Sequence, residues 1–393
     1  MAAVVSNARR WTIVGLLFAA SLINYLDRAT LALALPAISQ DLALGPTLKG
    51  ILLSAFFWSY AVMQVPVGWC ADRFNLRWLY AGMFALWSVA CGLTGVASSL
   101  SALIGLRMLL GVGESIYLAG GTKSVAAFFP PEERGLPSGL FDSGSRAGLA
   151  LGAPLIAWLI VRSGWRRMFF LVGFSALLWL IPWLSVYPSE QRRDPTAGRT
   201  ATDVRGRCTG IHLSRDLVGI CVGFFCFGYY WYLLVTWLPD LPYLIFGTCM
   251  PLGGWIADRL IHSGWNETRT RKGIITAAFL SGLMLIPATR ATDTRAALGL
   301  LCGASMVGLA TGNMMAILQG CAPTDRLGVW TGWENLAGNL GGVLSPMATG
   351  FLIARTGSYL PGVAVAVIVL VAGLLSYWTL VGELIPTARR TSA

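Results

Sequence analysis

A short stretch that occurs twice decides the fold, first as Gly68-Trp69-Cys70-Ala71-Asp72-Arg73 and again as Gly254-Trp255-Ile256-Ala257-Asp258-Arg259. Each copy follows an apolar run, and the copies lie 186 residues apart (68 to 254). A second match relates 131–134 to 323–326 at an offset of 192, which also places Asp142 on Glu334 and Pro154 on Pro346. Matches that keep one register predict an internal duplication, so we expect two related halves.

The composition is that of a membrane protein. Of 393 residues, 55% are hydrophobic and 12% are charged, and the mean hydropathy is +0.66. Soluble domains are about 25% charged. A bilayer core is crossed by about 20 apolar residues in a helix. We therefore predict an all-α integral membrane fold of about twelve spans, at 11–35, 48–71, 77–98, 101–127, 136–162, 166–187, 216–238, 243–257, 273–289, 296–318, 328–354 and 359–383.

The basic residues predict the orientation. With these spans, the termini and alternate loops hold 18 of the 29 Lys and Arg, and the opposite loops hold seven. Cytoplasmic loops are enriched in Lys and Arg, so both termini are expected in the cytoplasm, with the chain in the inner (plasma) membrane. The net charge of +11 thus reports topology and does not indicate a nucleic-acid partner. The eight Cys contain no CxxC pair, so neither a metal site nor a disulfide is expected.

The predicted domains are an N-terminal six-helix bundle at 1–187, a cytoplasmic linker at 188–215 and a C-terminal helix bundle at 216–393. One segment breaks the duplication. From Trp11 to Asp72 the first half has 61 residues, whereas Leu217 to Asp258 has 41. Helix eight would then have about 15 apolar residues, or roughly 22 Å against a core of ~30 Å. A short helix, a locally thinned membrane and a damaged gene all remain open.

The strongest functional signal is a set of charged residues on spans one and four, because charges within membrane spans are costly and usually functional. Asp27 and Arg28 are in span one, and Arg107 and Glu114 are in span four, where their spacing gives them a common helix face. Two arginines at similar depth suit an anion, because a guanidinium matches carboxylate geometry. Two carboxylates can take up a proton, and the loss of negative charge would free the arginines to bind the anion. The alternative is a set of static ion pairs that orient the helices.

Other polar residues in the spans carry weaker signals. Tyr60, Gln64, Asn335 and Asn339 could line a path between the halves. Arg146 either adds a third positive group or extends to the cytoplasm, and the aromatic run 229–232 either lines the cavity or meets lipid. His212 and His262 fall in predicted loops, so the expected proton-coupling residues are Asp27 and Glu114. A phosphate loop is excluded at 111–113, which lacks the following Lys-Ser/Thr.

These motifs resemble a known family. Gly68-x-x-x-Asp72-Arg73-x-x-x-Arg77 and its copy at 254–259 resemble the loop signature of the major facilitator superfamily. Three further motifs resemble its anion:cation symporter family, which includes bacterial sugar-acid carriers: Asn24-Tyr25-Leu26-Asp27-Arg28, Arg107 with Gly111-x-Gly113-Glu114, and Trp237-Leu238-Pro239. The resemblance implies two six-helix bundles, about twelve transmembrane helices with a shortened helix eight in this chain, and alternating access.

The resemblance also implies roles for single residues. Asp27 and Glu114 match proton acceptors, and Arg28 and Arg107 match residues that bind or gate the substrate carboxylate. Tyr25, Tyr60 and Asn339 are then substrate contacts. The matching loops assign a further set to the cytoplasmic gate: Asp72, Arg73, Arg77, Asp258 and Arg259.

The expected function is secondary active transport, the proton-coupled uptake of a small organic carboxylate such as a sugar acid, a tartrate-like acid or an aromatic acid. The chain is not expected to be an enzyme or to bind a cofactor, because the proton gradient supplies the energy. The expected partners are the organic anion and membrane lipid, and a monomer is expected. Two alternatives stay open: a transporter-like anion sensor, and a carrier inactivated by the deletion around helices seven and eight.

Overall fold

A computed structural model describes residues 6–189, 214–237 and 241–384. In these ranges twelve helical segments cross the molecule, and we call them spans 1 to 12. Spans 1, 2 and 3 are Asn7–Asp41, Pro46–Arg73 and Leu76–Thr94; span 4 is Leu100–Glu114 with Ile116–Phe128; spans 5 and 6 share Gly135–Ala176, and span 6 continues through Leu177–Trp179 and Leu180–Val186. Spans 7 and 8 are Arg215–Trp237 and Leu241–His262; span 9 is Glu267–Ser281, Gly282–Met284 and Leu285–Ala288; span 10 is Thr294–Ala304, Ser305–Ala310 and Thr311–Cys321; spans 11 and 12 are Leu327–Thr356 and Leu360–Thr379.

The helices have the length and apolarity of membrane spans. Within the described residues, ten segments are long and apolar enough to cross a bilayer. One of them, Pro131–Val186, has 56 residues and turns at Gly164, whose φ of 78° divides it into two crossings. Leu241–His262 completes the set with 22 residues, or about 33 Å. The predicted all-α membrane fold of about twelve spans is confirmed.

The loop before span 8 includes residues that the structure does not describe. Leu238 and Pro239 of the Trp237-Leu238-Pro239 motif, and Asp240 after it, lie outside the described residues, and the shortening of helix eight stays a prediction. Most of the predicted linker, 190–213, also lies outside them, and so does His212. The boundaries predicted for the two domains are therefore untested.

Each half has its own hydrophobic core. One core joins buried residues of spans 1 to 6 with Met315 of span 10, and the other joins buried residues of spans 7 to 12. Between spans 3 and 6 the first core contains a run of stacked rings, in which Phe84 lies 4.2 Å from Trp179 and Trp179 lies 4.9 Å from Trp183. Large apolar side chains such as Trp158 and Met347 are exposed on the outside, as expected for a surface in contact with lipid.

The two halves meet most closely at one end, where the duplicated motif lies. We call this end the basic side, because the loops predicted to hold most Lys and Arg are there. A Cβ on Gly68 would lie 2.2 Å from the Gly328 carbonyl oxygen, and a Cβ on Gly254 would lie 2.1 Å from that of Gly135. Only glycine permits this backbone approach, so the motif glycines hold span 2 against span 11 and span 8 against span 5.

This contact predicts that Gly68→Ala drives spans 2 and 11 apart at the basic side. The added methyl group overlaps a backbone carbonyl, and overpacking of this kind costs about 1–3 kcal/mol. The distance between spin labels at Phe74 and Thr324, in a background without native cysteines, should increase. Gly82→Ala is the matched control, because a Cβ there has no neighbour within 4 Å. An unchanged distance in Gly68→Ala would contradict the assignment.

Candidate functional site

The centre of the site is an ion pair between spans 1 and 4. The Arg28 Nε donates to Glu114 Oε2 at 2.8 Å. Glu114 is fully buried, and the Arg28 side chain is 14% exposed. A charge-assisted hydrogen bond of this length is among the stronger polar contacts in proteins. The structure thus brings together one predicted arginine and one predicted carboxylate.

Aromatic rings surround the Arg28 guanidinium. Its central carbon lies 4.6 Å from the ring centres of Tyr25 and Tyr60 and 4.9 Å from that of Phe56. Tyr25 is one turn before Arg28 on span 1, and Phe56 and Tyr60 are one turn apart on span 2 and stack on each other at 5.2 Å. Ring faces attract a cation, so this aromatic box stabilises the arginine where water is scarce.

Asp27 faces a different direction from Arg28, since consecutive residues of a helix lie about 100° apart around its axis. Its side chain is fully buried, and Oδ1 accepts a 3.5 Å hydrogen bond from the Cys91 thiol of span 3. Among the described residues, Oδ2 has no hydrogen-bond partner. Asp27 therefore lies behind the aromatic box, in the interior of the first half.

Arg107 also lies in the interior of the first half. It is 2% exposed, and its guanidinium carbon is 5.5 Å from the ring of Phe169 on span 6. Its Nε and Nη2 have no hydrogen-bond partner within the part of the chain that the structure describes. Glu114 is close enough to feel the charges of both Arg28 and Arg107. Glu114 is thus bonded to Arg28 and within electrostatic range of Arg107, and the immediate surroundings of the two arginines differ.

Polar side chains from the second half reach the aromatic box. The Asn335 amide on span 11 donates to Tyr60 Oη at 3.1 Å and to Gln64 Oε1 at 2.8 Å. Asn339, one turn further along, donates to the Asn335 carbonyl at 2.7 Å. Spans 2 and 11 therefore place amide and hydroxyl groups beside Arg28, where an anion with hydroxyl groups could be held.

Arg146 of span 5 points into the interface between the halves. It is 7% exposed, and its guanidinium carbon lies 3.7 Å from the Trp231 ring, 5.1 Å from that of Phe246 and 5.9 Å from that of Tyr25. Of the two interpretations left open, the structure supports the interior position. Trp231 is itself buried and is in the aromatic run 229–232, so this ring faces the protein and not lipid.

The duplicated aspartates each bind the first turn of a helix from the other half. Asp72 accepts hydrogen bonds from the backbone N–H groups of Gly328 and Val329 at 2.8 and 2.9 Å. Asp258 accepts from those of Gly135 and Leu136 at 3.1 and 2.7 Å. A helix N-terminus carries unpaired N–H groups and partial positive charge, so a carboxylate there is stabilised. Both contacts close the basic side.

The three arginines predicted for the cytoplasmic gate contact two tryptophan rings and a backbone carbonyl oxygen. Arg73 stacks on Trp69 at 4.2 Å, Arg259 on Trp255 at 5.4 Å, and Arg77 donates to the Leu184 carbonyl oxygen within the first half.

Two cations that the sequence analysis did not place at the gate are bonded to its aspartates. Lys123 Nζ lies 2.8 Å from Asp72, and Arg271 Nη1 lies 3.2 Å from Asp258. The available signal was Lys123 itself, a charge inside an apolar run.

The comparisons with known proteins agree with this architecture. Residues 17–248 match the family model described as Major Facilitator Superfamily. A probable galactarate/D-glucarate transporter of Escherichia coli strain K12 is 28% identical over 96% of this chain and 94% of its own length. A D-galactonate transporter of Escherichia coli O6:H1 is 27% identical over 95% of this chain and 96% of its own. A solved proton:xylose symporter superposes with a TM-score of 0.72 at 15% identity, covering 96% of each chain, which shows the fold alone.

The buried ion pair between Arg271 and Asp258 at the basic side predicts that Arg271→Ala strongly destabilises the protein. Arg271 is fully buried and bonds to Asp258, Glu267 and the Pro131 carbonyl. Removing one partner of a buried pair costs about 3–5 kcal/mol. The thermal unfolding midpoint of the purified protein should fall, whereas exposed Arg269→Ala should leave it within a degree or so. Equal midpoints in the two variants would show that Arg271 contributes little.

Proposed function

The chain belongs to the major facilitator superfamily, and from this premise we propose that it imports a small organic carboxylate together with protons. It is a transporter and not an enzyme, and relatives named for sugar acids match it over almost its whole length. The single observation that supports the proposal best is the Arg28–Glu114 pair inside the aromatic box. In that pair the Arg28 guanidinium, which can bind an anion, and the Glu114 carboxylate, which can bind a proton, share one hydrogen bond.

The coupling follows from competition for one guanidinium. When Glu114 is ionised, its carboxylate accepts the hydrogen bond of the Arg28 guanidinium. When Glu114 takes up a proton it loses its charge, and Arg28 is free to bind a substrate carboxylate with the same donors. Asp27, buried behind the box, serves as the second proton acceptor, and Arg107 balances the charges of both carboxylates. Substrate hydroxyl groups would meet Tyr25, Tyr60 and Asn339.

The closed basic side supports alternating access. Asp72 and Asp258 bond the two halves to each other there, as expected of a transporter that is closed on that side. We assign the basic side to the cytoplasm of an inner (plasma) membrane, with both termini cytoplasmic, because basic loops stay on that side. The protein then faces outward or is occluded in this structure, and it works as a monomer.

Uptake measurements test the coupling. In proteoliposomes with an inward proton gradient, wild-type protein should accumulate labelled D-glucarate or D-galactonate. Glu114→Gln should abolish accumulation, because the neutral amide cannot take up a proton, but should retain exchange of substrate across the membrane. Glu383→Gln, at an exposed residue near the end of the described chain, is the control. Proton-driven accumulation that survives Asp27→Asn and Glu114→Gln together would refute the scheme.

The two alternatives predict different outcomes of the same assay. Binding of a carboxylate without flux, in monodisperse wild-type protein, would indicate an anion sensor. A carrier inactivated by the short segment before span 8 would show neither flux nor exchange.

The two arginines should differ in their effect on substrate. Arg28→Lys keeps the charge but loses the planar fork, and a hydrogen bond to a charged group is worth about 1.5–3 kcal/mol. We expect KM for the transported acid to rise about tenfold or more in Arg28→Lys. Arg107→Lys should change KM less and lower the transport rate, because Arg107 lies behind Glu114. The reverse ranking would place the substrate at Arg107.

A further inference from the structure

A buried carboxyl group in the second half has no part in the scheme above. Glu334 of span 11 is fully buried, and neither of its carboxylate oxygens has a hydrogen-bond partner among the residues described. It lies seven residues after Leu327, where span 11 begins, which is about 10 Å along the helix from the basic side. The next residue, Asn335, bonds to Tyr60 and Gln64 of the first half. Glu334 is therefore on the helix that connects the aromatic box with the closed gate.

The groups around Glu334 do not neutralise a negative charge. Asp142 of span 5, Cys221 of span 7 and Tyr377 of span 12 are close enough to interact with its charge, and none of them is a cation. At the beginning of span 11, Lys123 of span 4 is bonded to Asp72 of span 2. An unpaired ionised carboxylate in such surroundings costs several kcal/mol, which favours the protonated form of Glu334.

Asp142 is the repeat counterpart of Glu334, at the offset of 192. It lies seven residues after Gly135, so the two carboxyl groups are at the same distance along spans 5 and 11 from the basic side. Asp142 accepts a hydrogen bond from Tyr117 Oη, and this oxygen accepts one from Ser21 Oγ at 2.9 Å. The charge of Arg146 also acts on Asp142. Asp142 is thus the end of a short hydrogen-bonded chain.

Beyond Ser21, further buried polar residues of span 1 lie toward the predicted proton acceptors. Ser21, Asn24 and Asp27 are spaced three residues apart, so they lie along one face of the helix, and each is fully buried. Buried polar residues in membrane spans mark ion and proton pathways. A row of buried polar groups therefore extends from Asp27 through Asn24, Ser21 and Tyr117 to Asp142. It is hydrogen-bonded from Ser21 to Asp142, whereas the Asn24 amide has no hydrogen-bond partner among the described residues.

We propose that Glu334 and Asp142 form a second proton-binding site, nearer the basic side than Asp27 and Glu114. A proton that leaves the outer carboxylates passes along the buried row, is held by this pair, and is released when the halves separate at the gate. The inference rests on the proposed function for its role in transport, but proton binding at Glu334 does not require that function. A purely structural role would be met equally well by an apolar side chain.

Infrared difference spectra test proton binding without a substrate. Purified protein in lipid is compared between about pH 5 and about pH 10, a range that lies above the ordinary pKa values of carboxyl groups, so exposed carboxylates do not contribute to the difference. The wild-type spectrum should contain a protonated-carboxyl band that disappears as the pH rises, and Glu334→Gln should lack this band. Glu383→Gln keeps it. Difference spectra of Glu334→Gln and wild type that superimpose would overturn the proposal.

The coupling ratio tests its role in transport. With D-glucarate as the probe, the reversal potential gives the number of protons carried with each anion. Glu334→Gln should carry one proton fewer than wild type and Glu383→Gln the same number. An unchanged ratio in Glu334→Gln overturns the proposal. If wild-type protein transports no tested carboxylate, the proposed function fails and the infrared result alone decides whether Glu334 binds a proton.

The variant must fold for either result to count. Glutamine has nearly the same shape as glutamic acid, and monodispersity by gel filtration is the check. Where Glu334→Gln is not monodisperse, Asp142→Asn replaces it, with the same expected loss of one band and one proton, and an unchanged band and ratio overturn the proposal.

Discussion

The structure depends on one constraint, which is that a charge in a membrane interior must find a partner. Arg28 meets it with Glu114 at 2.8 Å and with three aromatic rings. The pair is stable in this state because each group compensates the charge of the other in surroundings of low dielectric constant. In the proposed function the same pair acts as a switch: a proton on Glu114 leaves the guanidinium without its counter-charge, and an incoming carboxylate replaces it.

The same constraint explains the gate. Asp72 and Asp258 each turn toward the first N–H groups of a helix from the opposite half, which provide positive charge without a side chain. Because the duplicated motif supplies both aspartates, the two sides of the gate close in the same way. Span 11 links the proposed substrate site with the contacts of Asp72, because it carries Asn335 at one level and the N–H groups bound by Asp72 at the other.

Much of this architecture could be predicted from the sequence. Apolar length defines a span, and the repeat of Asp72 at Asp258 defines two halves, since both signals are local. The rotation of a side chain about its helix is not local, because packing against neighbouring spans decides it. For this reason the sequence placed Arg28 and Arg107 at similar depth but could not show that Arg107 contacts Phe169 in the interior of the first half. Arg271 was not assigned to the gate for the same reason, since its pairing with Asp258 joins spans 8 and 9.

The central claim is that the anion and the proton are linked through Arg28 and Glu114. Calorimetric titration of purified protein with a transported carboxylate, in buffers of different ionisation enthalpy, measures the protons taken up with each bound anion. The account predicts net proton uptake in wild-type protein, reduced in Glu114→Gln. Binding without proton uptake, or the same uptake in both proteins, would contradict it.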